Sequence, residues 1–221
     1  MFAALAAACL MLSGPGTRFG VWDFPVGLAL FALAGLFGLV AAAIGAIART
    51  RAGRIAAAVG VVALLLPAYG IFSSRQVPPI HDITTDLDDP PRFSAVLAAR
   101  GRQSNPIHDP MDAEVVRQHR AGYPDLKPVV LPLPPDAAFA RIVKTAEGSG
   151  WTIVAADPAR GVMEATATTS FFGFRDDVAV RVRPADGGSR IDVRSTSRVG
   201  RGDAGANAAR IRKFFESLQQ D

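Results

Sequence analysis

"DDVAVRVRPADGGSRIDVRSTS", residues 176–197, reads as a β-hairpin. Val178, Val180 and Val182 alternate with Ala179, Arg181 and Arg183 before the turn, and Ile191 and Val193 alternate with Asp192 and Arg194 after it. Alternation with period two places one set of side chains on a dry face and the other on a face that is at least partly wet. The link "ADGG" is short enough for an antiparallel connection. Two more strand candidates precede it, "WTIVAA" at 151–156 and "GVMEATATTSFF" at 161–172, with turn signals in "DPARG" and "FGFR".

Helices bracket these four strands. "PPDAAFARIVKTAEGSG", 134–150, has prolines near its start, Asp136 as a candidate cap, a stripe at Phe139, Ile142, Val143 and Ala146, and a glycine stop. "DAGANAARIRKFFESLQQ", 203–220, carries Ile211, Phe214, Phe215 and Leu218 on one helical face. The expected fold class is therefore α+β: a roughly four-stranded antiparallel sheet packed by two helices, able to bury a core without metal or cofactor. Residues 76–133, rich in proline and aspartate, read as extended polar chain with one helix at 111–121 and His119 on its surface.

The first 75 residues have a different character. Residues 24–48 contain no charge and are long enough to cross the hydrocarbon core of a bilayer as a helix. Residues 55–72 qualify as a second span if Ser73 and Ser74 sit at the interface. "RTRAGR" between them, 49–54, carries three arginines and is expected on the cytoplasmic side. The chain after 72 then emerges on the opposite face, which in a bacterial inner membrane is the periplasm. The apolar start, "MFAALAAACLML", is too short to span and reads as an interfacial segment or as the end of a third span.

Five basic residues (Arg18, Arg49, Arg51, Arg54, Arg75) and Asp23 are the charges before position 76; the remainder balances 19 basic against 19 acidic side chains. The net charge of +4 thus belongs to segments flanking apolar runs. A neutral domain is a poor polyanion-binding surface, so no nucleic-acid partner is expected. Cys9 is the single cysteine, which excludes an intrachain disulfide.

Three stretches carry the candidate chemistry. "IHDITTDLDDPPRF", 80–93, offers His81, Asp82, Asp86 and Asp88 as metal-compatible side chains, but it lacks the EF-hand glycine and glutamate and has no HExxH. Its plainer reading is a polar strap held by Asx turns. "TTSFFGFRDD", 168–177, could present Phe172 and Phe174 to a lipid or peptide, with Arg175, Asp176 and Asp177 fixing a polar group; its plainer reading is an apolar turn pinned by a local ion pair. "STSRVGRGDAGAN", 195–207, brings Arg198 toward the start of the last helix, where Asp203 either caps the loop or borders an anion site. No GxSxG elbow or P-loop is present.

Taken in order, "IHDITTDLDDPPRF", "FFGFRDDVAVRVRP" and "IDVRSTSRVGRGDAGANAARIRKFF" resemble the DUF1499 family over roughly residues 78–219. Its recurrent positions are similar to His81, Asp82, Thr85, Asp86, Pro90, Pro91 and Phe93, and later to Phe174, Asp176, Asp177, Arg194, Ser195, Ser197, Arg198, Gly200, Asp203 and Asn207. Family members often carry a cysteine in the region of "GRQSNPIHDP", 101–110, where this chain has none. The resemblance implies a membrane-associated envelope protein with no established activity. The expectation is a non-cytoplasmic domain that binds a lipid, peptide or envelope-protein partner without catalysis. The alternative is a membrane-bound hydrolase-like or metal-dependent enzyme using His81 and Asp82 with Asp176, Asp177 or Arg198.

Overall fold

The computed structural model describes residues 1–102 and 104–220; Gln103 and Asp221 lie outside the described residues. The chain groups into two compact units, Met1–Gln76 with Thr169–Phe174, and Val77–Thr168 with the chain from Arg175 onward.

In the first unit, three helices follow one another: α1 (Phe2–Arg18), α2 (Phe24–Ala48) and α3 (Arg51–Arg75). α2 and α3 are long and apolar enough to cross a membrane by length and composition. Their buried positions are small: Gly27, Ala34, Gly35, Gly38, Ala41 and Gly45 on α2, and Gly53, Gly60, Ala63 and Pro67 on α3. The helices approach so closely at Gly38 and Gly60 that a Cβ on Gly60 would sit 2.5 Å from the Gly38 carbonyl oxygen. Small residues permit this backbone-to-backbone packing, which leaves the large apolar side chains facing outward. α3 starts earlier than hydropathy suggested because the Thr50 hydroxyl accepts the Gly53 N–H at 3.0 Å, so Arg51 and Arg54 fall within the helix. α1 also outruns its apolar start, continuing through Gly14, Pro15 and Gly16. Packing overrides weak propensity there, since Gly14 lies against the Phe171 ring and Gly16 against Trp22.

The second unit is built on a six-stranded antiparallel sheet among the described residues. Its strands are β1 (Asp82–Thr84), β2 (Val129–Leu131), β3 (Thr152–Asp157), β4 (Val162–Thr168), β5 (Arg175–Ala185) and β6 (Gly188–Ser197), in the order β1-β6-β5-β4-β3, with β2 also on β6. The expected hairpin is present, with Val180 opposite Val193 and Val182 opposite Ile191. The two additional strands share the outer edge of β6: β2 pairs along Ser189–Ile191 and β1 along Arg194–Thr196. Both are three residues long, too short to announce themselves by alternation. Gly188 makes the β2 end possible, because its backbone has φ +144° and a Cβ there would lie 2.0 Å from the Leu131 carbonyl oxygen.

Helices α5 (Pro135–Gly148) and α6 (Ala206–Gln220) cover one sheet face. Ala138, Phe139, Ile142 and Ala146 of α5, and Ile211, Phe214, Phe215 and Leu218 of α6, meet Met163, Ala165, Val178, Val180, Val182, Ile191 and Val193 from the strands. Trp151 stacks on Phe214 with centroids 4.8 Å apart. Each of the larger side chains among these contributes about 1.5–3 kcal/mol by leaving water, so this face supplies most of the driving force for the domain. Asp136 does not cap α5: it lies in the first turn and makes no cap hydrogen bond, the proline at the helix start having no N–H to satisfy.

The opposite face is partly wet, but much of it is covered. Asp177, Ala179, Asp192, Arg194 and Thr196 are all fully buried; Arg181, Arg183 and Arg190 keep partial exposure. The cover comes from residues 86–102 and 104–110, including a 3-10 turn at Ala95–Ala99, with Phe93, Val96 and Ile107 packed on Ala179. Polar residues at outward strand positions signal a wet face only when nothing else in the chain can pair with them. Here a polar segment does.

Candidate functional site

The strap begins at β1 and is tied down step by step. The Thr85 N–H donates to the Val193 carbonyl at 2.9 Å, and the Thr85 hydroxyl accepts the Val193 N–H at 2.9 Å. Asp86 then turns the chain, its Oδ1 accepting the N–H groups of Asp88 and Asp89. This is an Asx turn. Oδ2 of Asp86 faces Arg183 at 3.1 Å and Arg190 at 2.6 Å, while Asp192 and Asp89 complete the cage around Arg181, Arg183 and Arg190. Burial alone would raise the Asp86 carboxyl; the N–H groups of Asp89 and Asp88 and the Arg190 and Arg183 guanidiniums outweigh it and hold it below the ordinary aspartate value. His81, half-buried, has its Nδ1 3.3 Å from the Arg201 carbonyl oxygen, and its own carbonyl accepts from Ser197 N and Asn207 Nδ2.

Arg194 is the largest fully buried side chain. Its guanidinium forks onto Asp82, Nε to Oδ1 at 3.0 Å and Nη2 to Oδ2 at 2.7 Å, donates to the His108 carbonyl at 3.0 Å and lies 5.4 Å from the Phe93 ring centroid. A second buried centre surrounds Asp177, which receives Arg198 from just beyond β6 (Nη2 at 2.7 Å), Arg100 from the strap (2.6 Å) and the Thr166 hydroxyl. Asp176, on the helix-covered side, pairs with Arg210 of α6. Arg210 also donates to Asn207 and Ser195. Asp203 caps α6 by accepting the N–H groups of Gly205 and Asn207, and burial nevertheless pushes its carboxyl above the ordinary value.

The expected local ion pair at Arg175 is therefore absent among the described residues. Arg175 is exposed, and Asp176 and Asp177 look inward to partners distant in sequence. Phe172 and Phe174 belong to the helical unit: Phe172 packs edge-on against Phe31 at 5.4 Å and stacks on Phe174 at 5.1 Å, and Phe174 meets Phe24 at 6.2 Å. Arg18 donates to the carbonyls of Thr169 and Ser170. The metal-compatible set is distributed over different arginines, Asp82 on Arg194, Asp86 in its cage and Asp88 on Arg120. Among the described residues, no three His, Cys, Asp or Glu side chains are placed to hold a metal ion.

A cleft of about 430 Å³ opens beside the strap, walled by Thr85–Asp88 on one side and by His119, Arg120, Tyr123, Leu126, Lys127 and Pro128 on the other. His119 belongs to helix α4 (Ala113–Gly122) and is 1% exposed, not on the surface. The surface expectation for His119 failed because Thr84, at the start of the strap, packs against its ring. The His119 Nε2 accepts the Thr84 N–H at 3.2 Å, its Nδ1 is buried without a partner, and burial holds the imidazole below its ordinary pKa. Burial, and then Asp203, push the Tyr123 phenol up to about 12.

The sequence profile of the family described as "Protein of unknown function (DUF1499)" matches residues 82–218. The chain belongs to the DUF1499 family. A search of curated proteins found no match. Among solved structures, the chain is similar to "Crystal structure of Ara h 8.0201" at 17% identity, over 42% of this chain and 93% of that one, with a TM-score of 0.25, a likeness too slight to bear on fold or function.

The DUF1499 match thus takes in the strap, the sheet and both covering helices, and leaves α1–α3 outside. Within it, several residues that organise the candidate site escaped the sequence reading. Glu164 is the clearest. Its carboxylate, buried under the strap, accepts from the N–H groups of Ser94, Ala95 and Val96 and from the Ser94 hydroxyl. Burial would raise this carboxyl, but the four donors hold it below the ordinary value. A glutamate facing outward from a strand gives no signal of such a role. Arg100, Arg210 and Tyr123 were equally invisible, since each finds its partner across a large sequence separation.

Proposed function

We propose that this chain is a multi-pass membrane protein, anchored by α2 and α3 in a bacterial inner membrane. Its DUF1499 domain lies in the periplasm and binds a lipid, peptide or protein partner without catalysing a reaction. The membrane region is residues 1–75 and the domain 76–221. The observation that carries the non-catalytic reading is the pairing of the candidate chemistry. Asp82 and Asp177 are held by the buried Arg194 and Arg198, which spend their donors on those acids, and Asp176 is held by the partly buried Arg210. A general base or nucleophile must have a free reach toward a substrate, and these side chains have theirs occupied.

Anchoring is supported by the outward faces of the long helices. Leu36, Leu39, Ile44 and Ile47 on α2, and Leu65, Leu66, Ile71 and Phe72 on α3, are exposed, an apolar surface that water disfavours and hydrocarbon accepts. The arginines at 49, 51 and 54 support a cytoplasmic link between them.

The test is native mass spectrometry of the full-length protein extracted gently from membranes, beside assays on a panel of ester and phosphoester substrates. The expected result is a reproducible non-covalent mass on the protein and no turnover. Turnover that disappears in a folded His81→Ala variant would overturn the reading in favour of an enzyme.

A further inference from the structure

The cleft beside α4 stands apart from the buried ion pairs, and its wall has three properties that converge on one kind of ligand. Its volume of about 430 Å³ lies within the range of small-molecule sites, about 300–1,000 Å³. Its lining includes apolar groups, Leu126, the Tyr123 ring and prolines 124 and 128. Its charges are unequal in availability. Arg190 is committed to Asp86 and Asp192, and Asp86 is neutralised in turn by its arginine cage. Arg120 is bound only to Asp88, whose side chain is 90% exposed, a pair that solvent weakens. Lys127 is exposed and enters none of the ion pairs among the described residues.

His119 adds the independent observation. Because its Nε2 accepts the Thr84 N–H, the neutral ring must carry its proton on Nδ1. That N–H belongs to a side chain in the cleft wall, is buried and has no acceptor among the described residues. An orphaned donor of this kind destabilises the empty protein and rewards an acceptor brought by a ligand.

We infer that this cleft binds a small amphipathic anion, whose carboxylate or phosphate is recognised by Lys127 and Arg120, with the covered His119 N–H reached as the wall yields to the ligand, and whose apolar body rests on Leu126, Tyr123 and Pro128. The inference deepens the binding reading above and rests on it. An oxygen anion supplies acceptors to Lys127 and Arg120, whereas a cation would face both of them, with Asp86 already held by its arginines.

The experiment follows the histidine ring signals of full-length protein in detergent by NMR during titration with benzoate, phenyl phosphate, benzyl alcohol and benzylamine. Substituting His81 and His108, which are not part of the cleft, leaves the His119 signal identified. The expected result is a saturable His119 shift with benzoate or phenyl phosphate and none with the neutral or cationic probe; the two anions separate a carboxylate from a phosphate preference. Lys127→Glu, at an exposed position, should weaken binding by about tenfold or more, whereas Lys144→Glu, the same charge change outside the cleft, should alter it by less than about twofold. No saturable shift with either anion, equal binding of benzylamine, or an unchanged Lys127→Glu variant would overturn the inference. A co-purified mass persisting alongside such a failure would sink the cleft and leave the broader binding reading standing.

Discussion

Replacing Arg194 by methionine should destabilise the domain by about 3–5 kcal/mol, the usual consequence of removing one partner of a buried ion pair. The structure indicates where that loss arises. The side chain is fully buried and joins β6 to β1 through two bonds to Asp82 and to the far end of the strap through the His108 carbonyl. Without the guanidinium, the Asp82 carboxylate loses its counterion, and the carbonyl lacks that donor, a defect of about 1–3 kcal/mol by itself. Methionine restores some packing against Phe93 but no hydrogen bond. Arg194→Lys should also fail, because an ammonium cannot reproduce the two-pronged contact. The assay is urea unfolding of full-length protein in detergent followed by tryptophan emission, Trp151 being stacked in the core. A cycle with Asp82→Leu isolates the pair, and the double variant should lose less than the sum of the two single ones. A loss below about 1 kcal/mol for Arg194→Met, or strict additivity, would refute the idea that this pair clamps the strap to the sheet.

Other expectations follow from the same structure. Glu164→Gln should destabilise by about 1–3 kcal/mol in the same assay, because the amide keeps one acceptor where the carboxylate served four donors. Since the folded Glu164 pKa is lowered, its contribution is present above pH 4.5 and lost as pH falls through the lower folded value; a pH series comparing wild type with Glu164→Gln reads that difference. His119, also lowered, should make the domain less stable as pH falls below 6.5, because the unfolded chain then binds a proton that the folded one resists, and its NMR titration should lie below that value. Phe214→Ala should cost about 3–5 kcal/mol through loss of the stack on Trp151, measured by urea midpoint. Gly60→Leu should part α2 from α3, lowering the thermal stability of the helical unit with little effect on the emission of Trp151.

The α+β class, the central hairpin and the helical faces of Ile142 and Phe214 were legible because each rests on local periodicity. The helix at 24–48 was equally plain from its uninterrupted apolar run. What the sequence did not reveal is the second layer. Asp192 and Arg194 occupy outward strand positions, and only a segment about a hundred residues earlier explains why they are buried. The aspartates of the strap could be assigned to turns, as Asp86 shows, but the arginines that meet them could not be paired from spacing. His119 was misread for the same reason: a polar helical segment does not show what another segment lays over it. The packing of Phe172 on Phe31 was likewise not legible, because aromatics that pack on helices and aromatics that meet a ligand are indistinguishable in sequence.

The account depends most directly on the helices crossing a membrane with the domain on the side away from residues 49–54. In a Cys9→Ser background, single cysteines at Ala52 and at Lys127 can be probed in intact bacterial cells with a maleimide that passes the outer but not the inner membrane. The account predicts that Lys127→Cys is labelled at once and Ala52→Cys only after the inner membrane is opened. Labelling of Ala52→Cys first, or of both without opening it, would contradict the proposed topology.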